Sequence, residues 1–150
     1  MKRVLLVASA GGHLAQLLWM RSWWEQTTRT WVTFDTPLAR ERLATERVVF
    51  AHQPTNRNAG NLLRNARLAR RVLAEVRPDV VVTTGAGVGV PFVWLARSMG
   101  AKSVFVEVFD RVDAPSLTGR LVAPFADVVV LQREVQRALY PRGVVLGPVH

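Results

Sequence analysis

The sequence predicts an open, doubly wound α/β domain: a mostly parallel sheet with helices on both faces. Three observations predict it. Short apolar runs rich in branched residues alternate with helical segments along the whole chain, the pattern of a parallel sheet with crossover helices. Glycine-rich turns follow the first and fourth of these runs. A length of 150 residues with 49% hydrophobic content is enough for one domain with a real core. Residues 1–150 are therefore read as a single domain. Ligands of such domains bind beyond the carboxyl ends of the strands, where the strand order reverses.

Lys2 to Ala8 is continuously apolar after its basic start and reads as a buried strand. Gly11, Gly12 and His13 form the turn after it, and Leu14, Leu17 and Leu18 give the next helix one apolar face. A helix starting here directs unpaired N–H groups over the sheet edge, a place suited to anions. The turn lacks the G-x-G-x-x-G spacing of a dinucleotide fingerprint. Taken alone it fits an ordinary strand–helix turn as well as a ligand site. Thr30 to Phe34 reads as the second strand, and Asp35-Thr36-Pro37 starts a helix to about Thr45. Arg47 to Ala51 is a third strand. The polar stretch His52 to Gly60 is longer than a simple connection requires, which marks it as a candidate functional loop.

Asn61 to Val76 carries the clearest helical period. Leu62, Ala66, Ala69, Leu73 and Val76 form its expected buried stripe, with Arg64, Arg67 and Arg71 on another face. Val80 to Thr83 is a fourth strand. The turn Thr84 to Pro91, with Gly85, Gly87 and Gly89, feeds a helix from about Val90 to Met99. Lys102 to Glu107 is a fifth strand, followed by a loop to Ala114 and a short helix opened by Pro115. Asp127 to Leu131 is the sixth strand, Gln132 to Leu139 a helix and Val144 to Leu146 the last strand.

The totals narrow the function. Net charge is +9, and only Lys2 and Lys102 among the 20 basic residues are lysine. Arginine forks onto phosphate oxygens, so nucleic acid, anionic lipid and a nucleotide or lipid pyrophosphate are all candidate partners. A GC-rich genome gives the same bias. The absence of cysteine excludes disulfides, thiol catalysis and cysteine-based zinc sites, and fits the cytoplasm. No apolar run reaches the length of a membrane span, and no signal-peptide pattern is present. His13, His52 and His150 lack metal-ligand spacing, so neither metal nor cofactor is expected.

Three features fall at strand ends: Ala10-Gly11-Gly12-His13, the turn Thr84-Gly85-Ala86-Gly87 with Pro91, and Val106-Glu107 with Arg111-Val112 and Ser116-Leu117-Thr118-Gly119. Leu131-Gln132, Tyr140-Pro141 and Leu146-Gly147 follow. This ordered set resembles the membrane-side subunit of the split UDP-N-acetylglucosamine transferase of asparagine-linked glycosylation. It is equally similar to that subunit's bacterial relatives in capsular and exopolysaccharide synthesis. Val108, where the family usually has serine, and Arg133, where an aromatic is frequent, depart from the pattern.

The resemblance implies a Rossmann-like GT-B N-terminal half, metal-independent and inverting. It implies a lipid-pyrophosphate-linked sugar acceptor and a partner chain that supplies the GT-B C-terminal half. The UDP-sugar would be shared with that partner, and this chain alone would be inactive. The chain ends about where a full GT-B enzyme would enter its linker. Eukaryotic members start with a membrane helix. This chain starts with a strand, so a bacterial-type member attached peripherally to the cytoplasmic face of the membrane is expected.

Sugar transfer needs a base for the acceptor hydroxyl, and a histidine, ordinarily titrating near ~6.5, suits that task at His13. Glu107 is the second catalytic candidate, as the base or as the group that orients His13. An exposed strand-end pair with Arg111 fits it equally well. Gly11, Gly12, Gly85 and Gly87 would let backbone approach the substrate, and Arg111, Ser116 and Thr118 would hold anionic oxygens. Trp19 and Trp23, with Met20 and Trp24 beside them, suit a lipid interface, and Arg64, Arg67 and Arg71 suit anionic headgroups. Three other classes share part of this pattern: a nucleotide-binding oxidoreductase domain, a nucleic-acid binder supported only by charge, and a non-catalytic scaffold for the partner chain.

Overall fold

The computed structural model describes residues 1–149. Seven parallel strands form one sheet. In chain order the elements are β1 (Arg3–Val7), α1 (Gly12–Trp19), α2 (Arg21–Trp24), β2 (Thr28–Thr33), α3 (Pro37–Arg42) and β3 (Val48–Phe50). Then follow α4 (Ala59–Val76), β4 (Val80–Thr83), α5 (Gly89–Ala96), β5 (Lys102–Val106), α6 (Leu117–Val122), β6 (Val128–Leu131) and β7 (Val144–Val145). The spatial order is β3-β2-β1-β4-β5-β6-β7. The chain winds outward one way from β1 and the other way from β4. The order therefore reverses between β1 and β4, where Val7 lies beside Thr83.

Side chains alternate across each strand, so the sheet has two apolar faces. Leu5, Val7, Val32 and Val81 meet Leu68, Val72, Leu73 and Phe92 of α4 and α5. Val4, Leu6, Trp31 and Val82 meet Leu14, Leu17, Trp24 and Ala39 of α1, α2 and α3 on the opposite face. A third cluster, Phe105, Val122, Leu131 and Tyr140 with Val90 and Val93 of α5, extends the α4–α5 layer to α6.

The expected seven strands are all present, and the sheet is wholly parallel. Three readings need correction. The buried stripe of α4 is Asn61, Asn65, Leu68, Ala69, Val72 and Leu73, while Leu62 is 42% exposed. Counting apolar positions gave the wrong helical phase because two inward positions are asparagines. The expected helix over 132–139 is a 3-10 turn, Glu134–Ala138. The first helix breaks at Met20 into α1 and α2. That break turns Trp24 into the core, where its indole N–H donates to the Leu17 carbonyl at 2.7 Å. His150 lies outside the described residues.

Candidate active-site cleft

The turn after β1 and the turn after β4 are stitched together at the point of strand reversal. The His13 ring Nδ1 hydrogen-bonds the Thr84 carbonyl at 2.9 Å. Thr84 Oγ1 donates back to the His13 carbonyl at 2.7 Å. A carbonyl can only accept, so Nδ1 is the donor of this bond and Nε2 is the ring nitrogen left for another partner. Gly85 makes room for the ring: its φ is +113°, and a Cβ there would stand 3.3 Å from His13 Cε1. Gly11, at φ +67°, makes the turn that starts α1.

An open cleft of about 1320 Å³ lies over this edge. Gly12, His13, Gly87, Arg111, Ser116 and Thr118 all line it. The structure thus brings together most of the residues singled out in the sequence. Gly11 and Gly85 are not in the lining, and Gly85 acts on the ring of His13 instead. The loop 55–59 supplies one further wall, and Leu62, Leu117 and Leu121 line the cleft as well. Among the described residues, no group of three His, Asp or Glu side chains is placed to hold a metal ion.

Glu107 follows the end of β5, as the sequence suggested, but it is buried and not in an exposed pair. It is 1% exposed, and among the described residues it forms no ion pair with Arg111. The Val108 N–H donates to Oε1 at 2.9 Å and the Ser116 N–H to Oε2 at 3.3 Å. Ser116 Oγ lies 3.1 Å from Oε2, and the Tyr140 hydroxyl donates to the same oxygen. Burial and this hydrogen bond to the Glu107 carboxylate push the Tyr140 phenol well above its usual range. Among the described residues Glu107 makes no hydrogen bond to His13, whose ring meets the Thr84 carbonyl. A buried carboxylate met by several donors is a structural anchor, and here it ties β5 to the start of α6.

Two further buried polar residues extend the anchor. Gln136 is fully buried, and its Nε2 donates to the Val108 and Arg111 carbonyls at 2.8 and 3.0 Å. Gln132 Nε2 donates to the Glu107 carbonyl at 3.0 Å and to Gln16 Oε1 at 2.8 Å. The loop that carries Arg111 is thus held from beneath by β6 and the turn after it. Sequence reading passed over Tyr140 and Gln136 as site residues. Tyr140 was marked only as part of the Tyr140-Pro141 pair in the family resemblance, and Gln136 by no motif.

The family described as "Oligosaccharide biosynthesis protein Alg14 like" matches residues 50–149. The chain belongs to this Alg14-like family. Its relatives include a UDP-N-acetylglucosamine–N-acetylmuramyl-(pentapeptide) pyrophosphoryl-undecaprenol N-acetylglucosamine transferase of Geotalea uraniireducens. That enzyme is 34% identical over 85 residues, 57% of this chain and 22% of its own length. The UDP-N-acetylglucosamine transferase subunit ALG14 of Mus musculus is 30% identical over 84 residues, 52% of this chain and 39% of its own. In fold, the Alg14-like chain superposes on Acinetobacter baumannii MurG with a TM-score of 0.80 at 19% identity, covering 100% of this chain and 46% of MurG. UDP-N-acetylglucosamine 2-epimerase from Rickettsia bellii follows with a TM-score of 0.77 at 15% identity, covering 99% of this chain and 45% of that one. The chain therefore spans less than half the length of the relatives it matches. The fold is the Rossmann-like half of a GT-B architecture, and the two sequence relatives are named as an N-acetylglucosamine transferase and a subunit of one.

Proposed function

We propose that this chain is the acceptor-binding half of a two-chain inverting glycosyltransferase, with the UDP-sugar site largely on a partner of GT-B C-terminal type. The observation that carries this reading is the make-up of the cleft. His13, Arg111, Ser116 and Thr118 share it with the exposed leucines Leu62, Leu117 and Leu121. A base and a cation at the sheet edge, beside an apolar exit, suit an amphiphile with an anionic head: a lipid-pyrophosphate-linked sugar. The mouse relative is itself named a transferase subunit, which supports the two-chain arrangement.

In this mechanism the acceptor hydroxyl attacks the anomeric carbon of the donor sugar. The bond from that carbon to the UDP oxygen breaks, and UDP leaves with the electron pair. His13 Nε2 takes the hydroxyl proton. Glu107 stays out of the proton transfer and holds the Arg111 and Ser116 loop in place. The test is reconstitution with a C-terminal-half chain, UDP-N-acetylglucosamine and a polyprenyl-diphosphate-linked sugar. Turnover is expected only when both chains are present. Equal turnover by this chain alone, or none from the pair, would overturn the proposal.

Membrane attachment belongs to the same reading. The two attachment surfaces suggested by the sequence lie on opposite layers: Trp19 and Trp23 extend from the α1–α2 layer, and the three arginines from α4. The α4–α6 layer is the better candidate, because it also exposes Leu63, Trp94, Leu117 and Phe125. Among the described residues no helix is long and apolar enough to cross a membrane. In this reading the α4–α6 surface makes the attachment, at the cytoplasmic face. Each basic residue near an anionic surface contributes about 1 kcal/mol. Neutralising Arg64, Arg67 and Arg71 to glutamine should therefore lower partitioning to anionic vesicles roughly 100-fold, measured by sedimentation. Trp19→Ser with Trp23→Ser should leave it nearly unchanged, and the reverse ranking would move the attachment surface to α1–α2.

A further inference from the structure

The loop between β3 and α4 is built with unusual care for an exposed connection. Asn65, 1% exposed, holds it at one end: its Oδ1 accepts the His52 N–H at 2.8 Å and its Nδ2 donates to the His52 carbonyl at 2.9 Å. Asn61, also buried, donates its Nδ2 to the Pro54 carbonyl at 2.8 Å. Asn58 Oδ1 accepts the Asn61 N–H at 2.9 Å and caps α4. Two inward positions of α4 thus carry amides rather than apolar side chains. Buried amides are tolerated only when hydrogen-bonded, and these are bonded to the loop.

The held loop reaches far along the sheet edge. A Cβ on Gly87 would stand 3.0 Å from Thr55 Cβ, so the loop leaving β3 touches the turn after β4, three strands away. The reach places Arg57 in the lining of the same cleft as His13 and Arg111. Arg57 has a φ of +49°, a conformation that side chains other than glycine adopt at a cost. Among the described residues, neither Arg57 nor Arg111 forms an ion pair. One arginine comes from each side of the β1–β4 switch point, and His13 lies between their loops.

We infer that Arg57 is the second cation of a two-arginine clamp. With Arg111 it holds the two phosphates of a diphosphate amphiphile and makes the cleft discriminate against the monophosphate. The inference rests on the acceptor-binding reading above and adds to it a residue and a selectivity. One guanidinium serves each phosphate, so a monophosphate leaves one arginine unused. Charge-assisted hydrogen bonds of this kind set the scale at about tenfold to a hundredfold in affinity.

The test is calorimetric titration of the full chain with farnesyl diphosphate and farnesyl monophosphate. Wild type should bind the diphosphate at least about tenfold more tightly. Arg57→Gln should remove most of that preference by weakening diphosphate binding. Arg57→Gly keeps the left-handed backbone and should lose the preference without lowering the melting temperature, which separates binding from folding. If Arg111→Gln loses the preference and Arg57→Gln keeps it, the clamp is wrong and the acceptor reading survives. If wild type binds both probes equally, the clamp fails in the same way. If it binds neither, the acceptor reading fails with it.

Discussion

Replacing His13 by alanine is expected to lower turnover of the two-chain enzyme by about 10²- to 10⁴-fold, the usual range for loss of a positioned base. The expectation follows from the ring's attachment. Nδ1 is committed to the Thr84 carbonyl at 2.9 Å, so the nitrogen left for the acceptor hydroxyl is Nε2, and His13 lines the cleft. The side chain is half-buried at the surface edge of the sheet, so its removal should leave the fold intact by circular dichroism. Thr84→Val is the informative companion. It deletes the 2.7 Å bond from Oγ1 to the His13 backbone but keeps the carbonyl that Nδ1 meets. Its effect should be no more than about tenfold, the worth of one ordinary hydrogen bond. Near-normal turnover of folded His13→Ala with the partner present would remove the base assignment and leave the scaffold reading.

The fold was legible because strand composition and turn chemistry agreed. Val80 to Thr83 and Lys102 to Val106 are branched runs bounded by Asp79, Gly85 and Gly100, and nothing in their surroundings competes with a strand. The α4 phase was not legible, because Asn61 and Asn65 point inward for the sake of the loop at 52–58. A polar residue chosen for a distant backbone partner leaves no trace in a hydrophobic period. Trp24 was misplaced for a related reason: beyond the break at Met20 it packs on Trp31, with ring centroids 5.3 Å apart and nearly perpendicular, a contact that a local helical period does not register.

The cleft was half legible. Gly12, His13, Gly87, Arg111, Ser116 and Thr118 sit at three strand ends, and the doubly wound topology brings strand ends to one edge. Arg57 came from a loop whose length alone was suggestive. Glu107 was recognised as notable, yet its position at a strand end gave no hint of Tyr140, 33 residues later, as its hydrogen-bond partner.

The strongest structural prediction concerns Gly119, on the side of α6 that faces that partner. A Cβ there would stand 1.9 Å from Tyr140 Oη and 2.8 Å from Glu107 Oε2. Neither atom belongs to a free side chain. The hydroxyl is bound to the carboxylate, and the carboxylate is fixed by the Val108 and Ser116 amides. Gly119→Ala must therefore move α6 away from β5, at a cost of about 1–3 kcal/mol for overpacking. For a domain of this size that is a fall of roughly 3–10 °C in melting temperature. Tyr140→Phe alone costs about 1–3 kcal/mol by removing a donor from a buried carboxylate. The double variant should be less destabilised than the sum, because Tyr140→Phe removes the hydroxyl oxygen that clashes. The anchor also predicts an alkaline limb. The phenol of Tyr140 is raised above its unfolded value of about 10, so its contribution is fully present below that pH and is lost as pH rises toward the folded value. Wild type should lose stability to urea above about pH 10, and Tyr140→Phe should lose less over the same interval. Additive single and double variants, with parallel alkaline limbs, would show that α6 is held by something other than this carboxylate.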